Sequence, residues 1–262
     1  MKKLNLIGAW LCLIVIIVAC SKKKLTEVVE VPLPTVNEKV AIGDPDDVSA
    51  DAGPFELTKL KFSYEALLPY VDAMTMDIHY AKHYLSFTNN LNKIVDDTEM
   101  EDLTIEEILA KAIPDSTRLR NNAGGYYNHT LFFESIGPKS GGKPKDTLAQ
   151  AIIKDFGTFE NFKTQFKTVA YQQLGSGWAW LIVDKSGHLQ VTSTSNQDNP
   201  LLPKATVSGI PILALDLWEH AYFLQYQFKK KNYIDSFFTI INWSKVSEKY
   251  EAAIEKNVNS IP

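Results

Sequence analysis

The sequence predicts an α+β fold, in which an N-terminal antiparallel helical hairpin domain precedes an α/β domain with a three-stranded antiparallel sheet. Three observations support this prediction. In the first half, apolar residues recur at the three- and four-residue spacing of a helix face. In the second half, two strand-like runs flank a tight turn and a third apolar run follows them. Between the halves lies Gly141-Gly142-Lys143-Pro144, a run typical of a boundary.

The first 55 residues are expected to lie outside this fold. Lys2-Lys3 precede a short apolar stretch that ends at Ala19, which is typical of a secretion signal and too short for a spanning helix. Ile17-Val18-Ala19-Cys20 resembles the bacterial lipobox. We therefore expect residues 1–19 to be a cleaved signal peptide and Cys20 to carry lipid, with an uncleaved signal anchor as the alternative. Residues 20–55, rich in Lys, Val, Pro and Asp, are expected to form a flexible tether.

Composition excludes some classes of function. A chain of 262 residues that is 45% hydrophobic can bury a sizeable core. Its net charge of -4 gives no reason to expect a nucleic-acid partner. Of the two cysteines, Cys12 would leave with the signal and Cys20 would be acylated, so the mature chain would have no disulfide.

Residues 56–142 are predicted to form the helical hairpin domain. Asp72 is placed to cap a helix that runs to about Val95. Thr104-Ile-Glu-Glu107 has the pattern of a capping box, and it predicts a short helix from Ile105 to Ala112. A third helix is expected from Leu119 to Ile136, where Gly137-Pro138 ends it.

Residues 143–262 are predicted to form the mixed domain. Two helices come first, and then a strand-like run that enters the turn Asp184-Lys185-Ser186-Gly187. The expected elements are helices Thr147 to Phe156 and Phe159 to Gln173, strands Gly175 to Val183 and Leu189 to Thr194, a strand ending at Asp216, and terminal helices through Tyr226 and from Asp235 to Lys256.

The distribution of histidines predicts a metal site. Asp216 and His220 lie four residues apart directly after an apolar run, and a carboxylate with neutral imidazoles suits Mn or Fe. Alone, this pair is as well explained by a strand-end Asp and a core His. However, His79, His83 and His129 also fall on predicted buried faces, whereas the fifth histidine, His188, lies in a polar turn.

Five segments, taken together, resemble the iron/manganese superoxide dismutases in order and spacing, over roughly residues 56 to 255. They are His79-Tyr-Ala-Lys-His83, Asn121-Asn-Ala-Gly-Gly125, Asn128-His129-Thr130, Gly175-Ser-Gly-Trp-Ala-Trp180 and Asp216-Leu-Trp-Glu-His220-Ala-Tyr222. The resemblance implies disproportionation of superoxide to dioxygen and hydrogen peroxide by one Mn or Fe ion per subunit.

The resemblance implies that the metal ligands are His79, His129, Asp216 and His220, with a solvent molecule in a fifth position. Three neutral imidazoles and one carboxylate leave a net charge of +1 both with M²⁺ and water and with M³⁺ and hydroxide. Constant charge avoids a large reorganisation cost and keeps a positive target for an anionic substrate.

The resemblance also implies which residues surround the metal and which metal is favoured. Manganese-type members place Gly four residues before the second His ligand and take a glutamine from the sheet; here these are Gly125 and Gln197. Manganese is therefore favoured, although a solvated Gln in a polar turn is the alternative. Trp178, with Trp180 and Trp218, resembles the aromatic cage that keeps the pocket dry, and plain core filling is the other explanation.

The chain departs from the family pattern around the proton relay. The relay histidine, His83, is retained, but the gate tyrosine is Phe87 and the tyrosine three residues after the last ligand is Phe223. Two further positions differ, since Phe133 replaces a Trp and Lys230 a funnel Arg. We expect the site to bind metal and turn over, with slowed protonation of the product.

Glu219 resembles the residue that bridges to a partner's His ligand, which implies a homodimer with Glu219 and His220 at the interface; a tetramer is possible. The favoured interpretation is a membrane-anchored dismutase in the cell envelope, periplasmic or at the cell surface. The alternative is a catalytically weakened metal-binding or structural surface lipoprotein. A non-redox metal hydrolase is disfavoured because no spare carboxylate is evident as a general base.

Overall fold

The computed structural model describes residues 41–111 and 116–259. The predicted signal peptide, the predicted lipid attachment at Cys20 and the predicted tether up to residue 40 lie outside these residues. In the described part of the chain, no helix combines the length and apolar character needed to cross a bilayer.

The first half is helical, as predicted. Asp72 caps its first long helix by accepting a hydrogen bond from the Thr75 N–H at 2.9 Å. Thr104 and Glu107 form the predicted capping box, with the Thr104 N–H donating to Glu107 at 2.8 Å. The elements are α1 (Ala73–Ile78), a π-helical segment (His79–Tyr84), α2 (Leu85–Val95), α3 (Ile105–Lys111) and α4 (Thr117–Ser135). Helices α2 and α4 pack side by side and form the hairpin.

The second half contains the predicted three-stranded antiparallel sheet, whose strand order is β2-β1-β3. The central strand is buried along its whole length, which explains its continuous apolar run. In the register of the sheet Trp178 lies opposite Asp216. The elements are α5 (Asp146–Phe156), α6 (Phe159–Gln172), β1 (Gly177–Val183), β2 (Leu189–Ser195), β3 (Ile210–Asp216), α7 (Phe223–Tyr226), α8 (Lys230–Phe237) and α9 (Trp243–Asn259).

The predicted helix from Asp235 to Lys256 is wrong as one element. Helix α8 ends at Phe237 and α9 begins at Trp243. Between them Ile241 forms an isolated antiparallel bridge with Ile136. The Gly137 N–H also donates to the Ile240 carbonyl at 2.9 Å. The backbone between α8 and α9 therefore forms hydrogen bonds with the end of α4 instead of continuing the helix. Local apolar spacing does not reveal such a long-range contact.

Residues 41–55, which the sequence assigns to the tether, contact the helical half. The Asn92 side chain bonds the backbone of Phe55 in both directions, at 3.0 Å each, and also donates to the Asp51 carbonyl. The Phe55 ring is buried and lies 5.1 Å from the Tyr126 ring. The C-terminal end of the predicted tether is therefore attached to the body, although the domain boundary itself stays a prediction.

The two halves meet along α4 and β3, which pack against each other. The inner face of α4 carries His129, and β3 ends at Asp216. Side chains from the helical half and from the sheet consequently face one another in the buried centre of the body.

Candidate metal centre

Four side chains from separate elements converge at this centre. His79 lies in the π-helical segment, His129 in α4, Asp216 at the end of β3 and His220 in the 3₁₀ turn Glu219–Ala221. One ligand atom from each lies within 4.8 Å of every other. The structure therefore brings together all four of the predicted ligands.

The three imidazoles surround one carboxylate oxygen. The Nε2 atoms of His220, His79 and His129 lie 3.0, 3.2 and 3.5 Å from Oδ2 of Asp216. The other oxygen of Asp216, Oδ1, accepts a hydrogen bond from the Trp218 N–H at 2.8 Å. One carboxylate oxygen is thus held by the backbone, and the other faces the histidines.

The tautomers suit a metal. Nδ1 of His129 lies 2.6 Å from the Gly125 carbonyl, which can only accept, so Nδ1 carries the proton and Nε2 presents a lone pair. Nε2 of His79 and of His129 are buried and have no hydrogen-bond partner among the residues that the structure describes. Buried polar atoms without partners are rare, and a divalent ion would satisfy both.

The charges of His79, His129 and Asp216 also suit a metal. Burial lowers the pKa of His79 and, more strongly, that of His129, so both imidazoles are neutral. Burial by itself would raise the pKa of Asp216, but the adjacent His220, its hydrogen bond to the carboxylate and the nearby His79 lower it overall. Neutral imidazoles and an ionised carboxylate are the protonation states that bind metal.

Gln197 presents an unpartnered amide beside the centre. It is buried, and its Oε1 accepts hydrogen bonds from Asn128 Nδ2 and Trp178 Nε1, both at 3.1 Å. Because both partners are donors, they fix Oε1 and leave Nε2 as the free end of the amide. That Nε2 is buried and finds no acceptor in the described part of the chain. A solvated Gln in a polar turn does not fit this geometry.

Gly125 is required for close packing. A Cβ built at this position would lie 2.4 Å from Cδ1 of Phe87, so no larger residue fits without displacing that ring. A glutamine side chain therefore cannot start from position 125 as the site stands, and the amide beside the centre comes from Gln197.

Aromatic rings enclose the ligands. Trp178 meets the His129 ring edge-on at 5.0 Å, Phe133 meets His79 at 5.0 Å, and Trp218 stacks on His220 at 5.9 Å. Trp180 stacks behind Trp178 at 5.7 Å and donates to Thr194. The cage is therefore formed mainly by Trp178, Trp218 and Phe133, and Trp180 supports it from behind.

His83 contacts both the ligands and Phe87. Its ring centre is 3.9 Å from that of His220 and 5.0 Å from that of Phe87. Its buried Nε2 has no hydrogen-bond partner among the residues that the structure describes. Burial, together with the neighbouring His220 and His79, lowers the pKa of His83 to about 3. The Phe87 ring cannot supply a hydrogen bond where the family pattern has a hydroxyl.

The remaining residues singled out from the sequence lie further away. Glu219 is exposed and so is Phe223, at 52%. Lys230 donates to the Gln173 carbonyl at 2.8 Å, and its partial burial lowers its pKa. His188 pairs with Asp155 at 2.8 Å, in the turn that precedes β2. As expected, His188 takes no part in the centre.

Two features of the site were not foreseen. The first ligand lies in a π-helical segment, a local widening that often marks functional sites. Asn128 anchors Gln197, and only its place next to His129 could have suggested this role. Neither feature leaves a repeating pattern in the sequence. The hydrogen bonds of Asn128 to Gln197 join the two halves, so local spacing does not reveal them.

Comparison with known proteins gives two family matches. Residues 54–137 match "Iron/manganese superoxide dismutases, alpha-hairpin domain", and residues 144–249 match "Iron/manganese superoxide dismutases, C-terminal domain". Residues 138–143 separate the two matched ranges.

Individual relatives are similar over most of their length. The chain is 43% identical over 204 residues to "Superoxide dismutase [Mn]" of Acinetobacter baylyi, covering 77% of this chain and 90% of that protein. It is 43% identical over 204 residues to "Superoxide dismutase [Mn/Fe]" of Methylomonas sp., covering 76% and 99%. It is 40% identical over 210 residues to "Superoxide dismutase [Mn] 1" of Leptolyngbya boryana, covering 78% and 84%.

Proposed function

The chain belongs to the iron/manganese superoxide dismutase family, and from that premise we propose that it disproportionates superoxide at a Mn or Fe ion held by His79, His129, Asp216 and His220. The observation that carries this proposal is the convergence of these four ligand atoms within 4.8 Å of one another. It joins donors from both halves of the chain, and a metal needs neutral imidazoles and an ionised carboxylate, the states indicated for His79, His129 and Asp216.

When bound, the ion supplies one-electron redox chemistry by alternating between the +2 and +3 states. The chain contributes three imidazoles and one carboxylate, so a divalent ion bound by them would keep a net positive charge that attracts the anionic substrate. Because His79, His129 and Asp216 are buried, water screens this charge little, and the attraction of superoxide is correspondingly strong.

The surrounding residues set proton supply and exclude water. The free Nε2 of Gln197 can only donate and is buried, so it would donate to a solvent molecule bound by the ion. Trp178 fixes the opposite end of that amide. The rings of Trp178, Trp218 and Phe133 keep bulk water from the imidazoles.

Manganese is the favoured ion. The amide comes from Gln197 on the sheet side, and the Phe87 ring fills the space where a side chain at Gly125 would begin. This is the manganese-type arrangement expected from the sequence. Occupancy also follows supply, since the affinity order places Mn²⁺ below Fe²⁺.

The test combines metal analysis with a superoxide assay on one sample of detergent-solubilised full-length protein. We expect about one Mn or Fe per chain and rapid decay of superoxide. The matched control is His129→Ala, which removes one ligand. This variant should lose both the metal and the activity. A metal-loaded wild type without dismutase activity would favour the alternative, a weakened metal-binding lipoprotein.

That alternative rests on the missing hydroxyls at Phe87 and Phe223. Phe87 borders His83, whose Nε2 has no described partner. A relay without hydroxyls would slow the protonation of peroxide. It would not prevent metal binding, because all four ligands are present.

We also assign the protein to a homodimer. Glu219 is exposed beside the half-buried His220, which suits a carboxylate that reaches a partner's ligand. Exposed apolar side chains at Phe223 and at Leu174, 88% accessible, would be covered by a second copy. Light scattering should give twice the mass of one chain, or four times for a tetramer. Glu219→Ala should shift the population toward monomer.

The N-terminal sequence supports a lipid anchor on Cys20 and a place in the cell envelope. Lys2-Lys3, the apolar stretch to Ala19 and the lipobox-like end form the supporting pattern. Cys20→Ser should prevent acylation and release the protein from the membrane fraction. Wild-type protein that stays in the soluble fraction would contradict the anchor and leave the dismutase proposal intact.

A further inference from the structure

The turn that carries Gln197 is held against one face of α4. This turn follows β2 and includes Gln197, Asp198 and Asn199. On α4 the facing residues are Arg120, Gly124 and Asn128, which are four residues apart and so lie on one side of the helix. The same helix carries His129, so the turn and a metal ligand share one support.

Gly124 and Asn128 determine how closely the turn approaches. A Cβ at Gly124 would lie 2.2 Å from the Gln197 carbonyl oxygen, so the backbones touch here. Asn128 Nδ2 donates to that carbonyl and to Gln197 Oε1, at 3.1 Å each. Asn199 in turn donates to Asn128 Oδ1 at 3.1 Å.

Arg120 adds a charged clamp at the outer end of this contact. Its Nε and a terminal nitrogen donate to the two oxygens of Asp198 at 2.7 and 2.6 Å, a bidentate pair between residues 78 positions apart. The Asp198 carbonyl meanwhile accepts from the Thr194 hydroxyl at 2.6 Å. The backbone of Asp198 therefore belongs to the sheet side, and its carboxylate reaches across to the helical half.

We propose that Arg120 and Asp198 form a positioning pair that fixes the Gln197 amide relative to the metal centre. The inference rests on the proposed function, since it gives the pair a role at the same site. Asp198 follows Gln197 directly, so a movement of its carboxylate shifts the peptide that carries the amide. The planar guanidinium holds both oxygens at once, which a single ammonium cannot do.

A positioning role and a structural role predict different outcomes. Both side chains are about one-third exposed, 35% for Arg120 and 36% for Asp198, and pairs of this kind contribute little to stability. Removing the pair should therefore leave unfolding almost unchanged. A displaced donor beside a metal, by contrast, typically costs tenfold or more in activity.

The experiment uses manganese-loaded full-length protein with Asp198→Asn and Arg120→Lys. We expect kcat to fall about tenfold in each, with Mn content and Tm unchanged. The visible absorption of the bound manganese should change. The midpoint potential of the bound manganese should rise. A weaker N–H donor from Gln197 would stabilise the more negatively charged ligands of the oxidised ion less, and so would favour the reduced ion. Asp198→Glu, which keeps the charge, should recover part of the loss.

The matched control is the ion pair of Lys167 with Asp235, 2.5 Å apart and similarly exposed, which joins α6 to α8 away from the Gln197 turn. Asp235→Asn should leave kcat, spectrum and potential at the wild-type values. Wild-type kcat and spectrum in Asp198→Asn would overturn the proposal, and so would an equal change in Asp235→Asn. If Asp198→Asn does not fold, Arg120→Lys decides by the same readouts. If the wild type has no dismutase activity, the proposed function fails, while the spectrum and potential still test the pair.

Discussion

Truncation of Gln197 tests the centre of the proposed site. Gln197→Ala removes the acceptor for two hydrogen bonds of 3.1 Å and the unpartnered amide donor. Asn128 Nδ2 keeps the Gln197 carbonyl as an acceptor. The Trp178 side chain is fully buried, and in the described part of the chain its Nε1 donates to Gln197 Oε1 alone. The two donors are thus affected unequally.

The change in the free energy of unfolding follows from the different fates of these two donors. A buried N–H left without a partner costs about 1–3 kcal/mol, and the Asn128 bond that is lost adds about 1 kcal/mol. Water that enters the space left by the side chain would reduce the sum, so we expect a loss of about 1–3 kcal/mol in the free energy of unfolding. For a chain of this size each kcal/mol lowers Tm by roughly 2–4 °C.

The activity should fall much further than the stability. Loss of a residue that hydrogen-bonds the metal's ligands typically costs roughly 10–100-fold in activity or metal affinity. Calorimetry of the metal-loaded protein and the decay of superoxide after a pulse measure the two effects separately. Metal content is measured on the same samples, so that a loss of metal is distinguished from slower chemistry.

A second substitution checks the assignment of the cost to Trp178. In Trp178→Phe the indole N–H is absent, so Gln197→Ala on that background should destabilise by less than it does in the wild type. A coupling of about 0.5–3 kcal/mol between the two changes is expected for groups in direct contact. Additive effects, or a Gln197→Ala protein with wild-type Tm and turnover, would refute the reasoning.

Three further predictions concern neighbouring residues. Phe87→Tyr combined with Phe223→Tyr should raise turnover or relieve product inhibition, because hydroxyls return to the surroundings of His83; steady-state progress curves measure both, and no change in either counts against the relay hypothesis. The pKa of His83 is lowered to about 3 in the folded chain, against an ordinary value of about 6.5. Between these two pH values the unfolded chain therefore binds a proton at His83 that the folded chain does not. The stability of the metal-free protein should therefore fall as pH drops from about 6.5 toward 3, and His83→Gln should flatten this dependence in pH-resolved melts; an identical profile in the variant would exclude His83 as a source. Removal of the ion by a chelator should lower Tm in the wild type and leave Tm unchanged in His129→Ala, because the bound metal joins both halves; equal responses would mean that the ion binds elsewhere.

Much of the fold could be predicted because its signals are local. Asp72 and the Thr104–Glu107 box cap their helices as the sequence predicts. The three strands follow from apolar runs and one turn. The split between α8 and α9 was missed, because the bridge from Ile241 to Ile136 is a long-range contact that a helical period does not encode.

The sequence by itself determined the candidate ligands and the family. The sequence identifies possible metal donors by the spacing of Asp216 and His220 and by the small number of histidines. Residue identity is enough for this, because each donor atom belongs to one side chain. Where those donors lie depends on the packing of α4 against β3. Only the tertiary structure decided that Gln197 turns its free amide inward and that Arg120 clamps Asp198. These properties depend on distances between residues about 70 to 80 positions apart, and distances of that kind are fixed only when the two halves pack together.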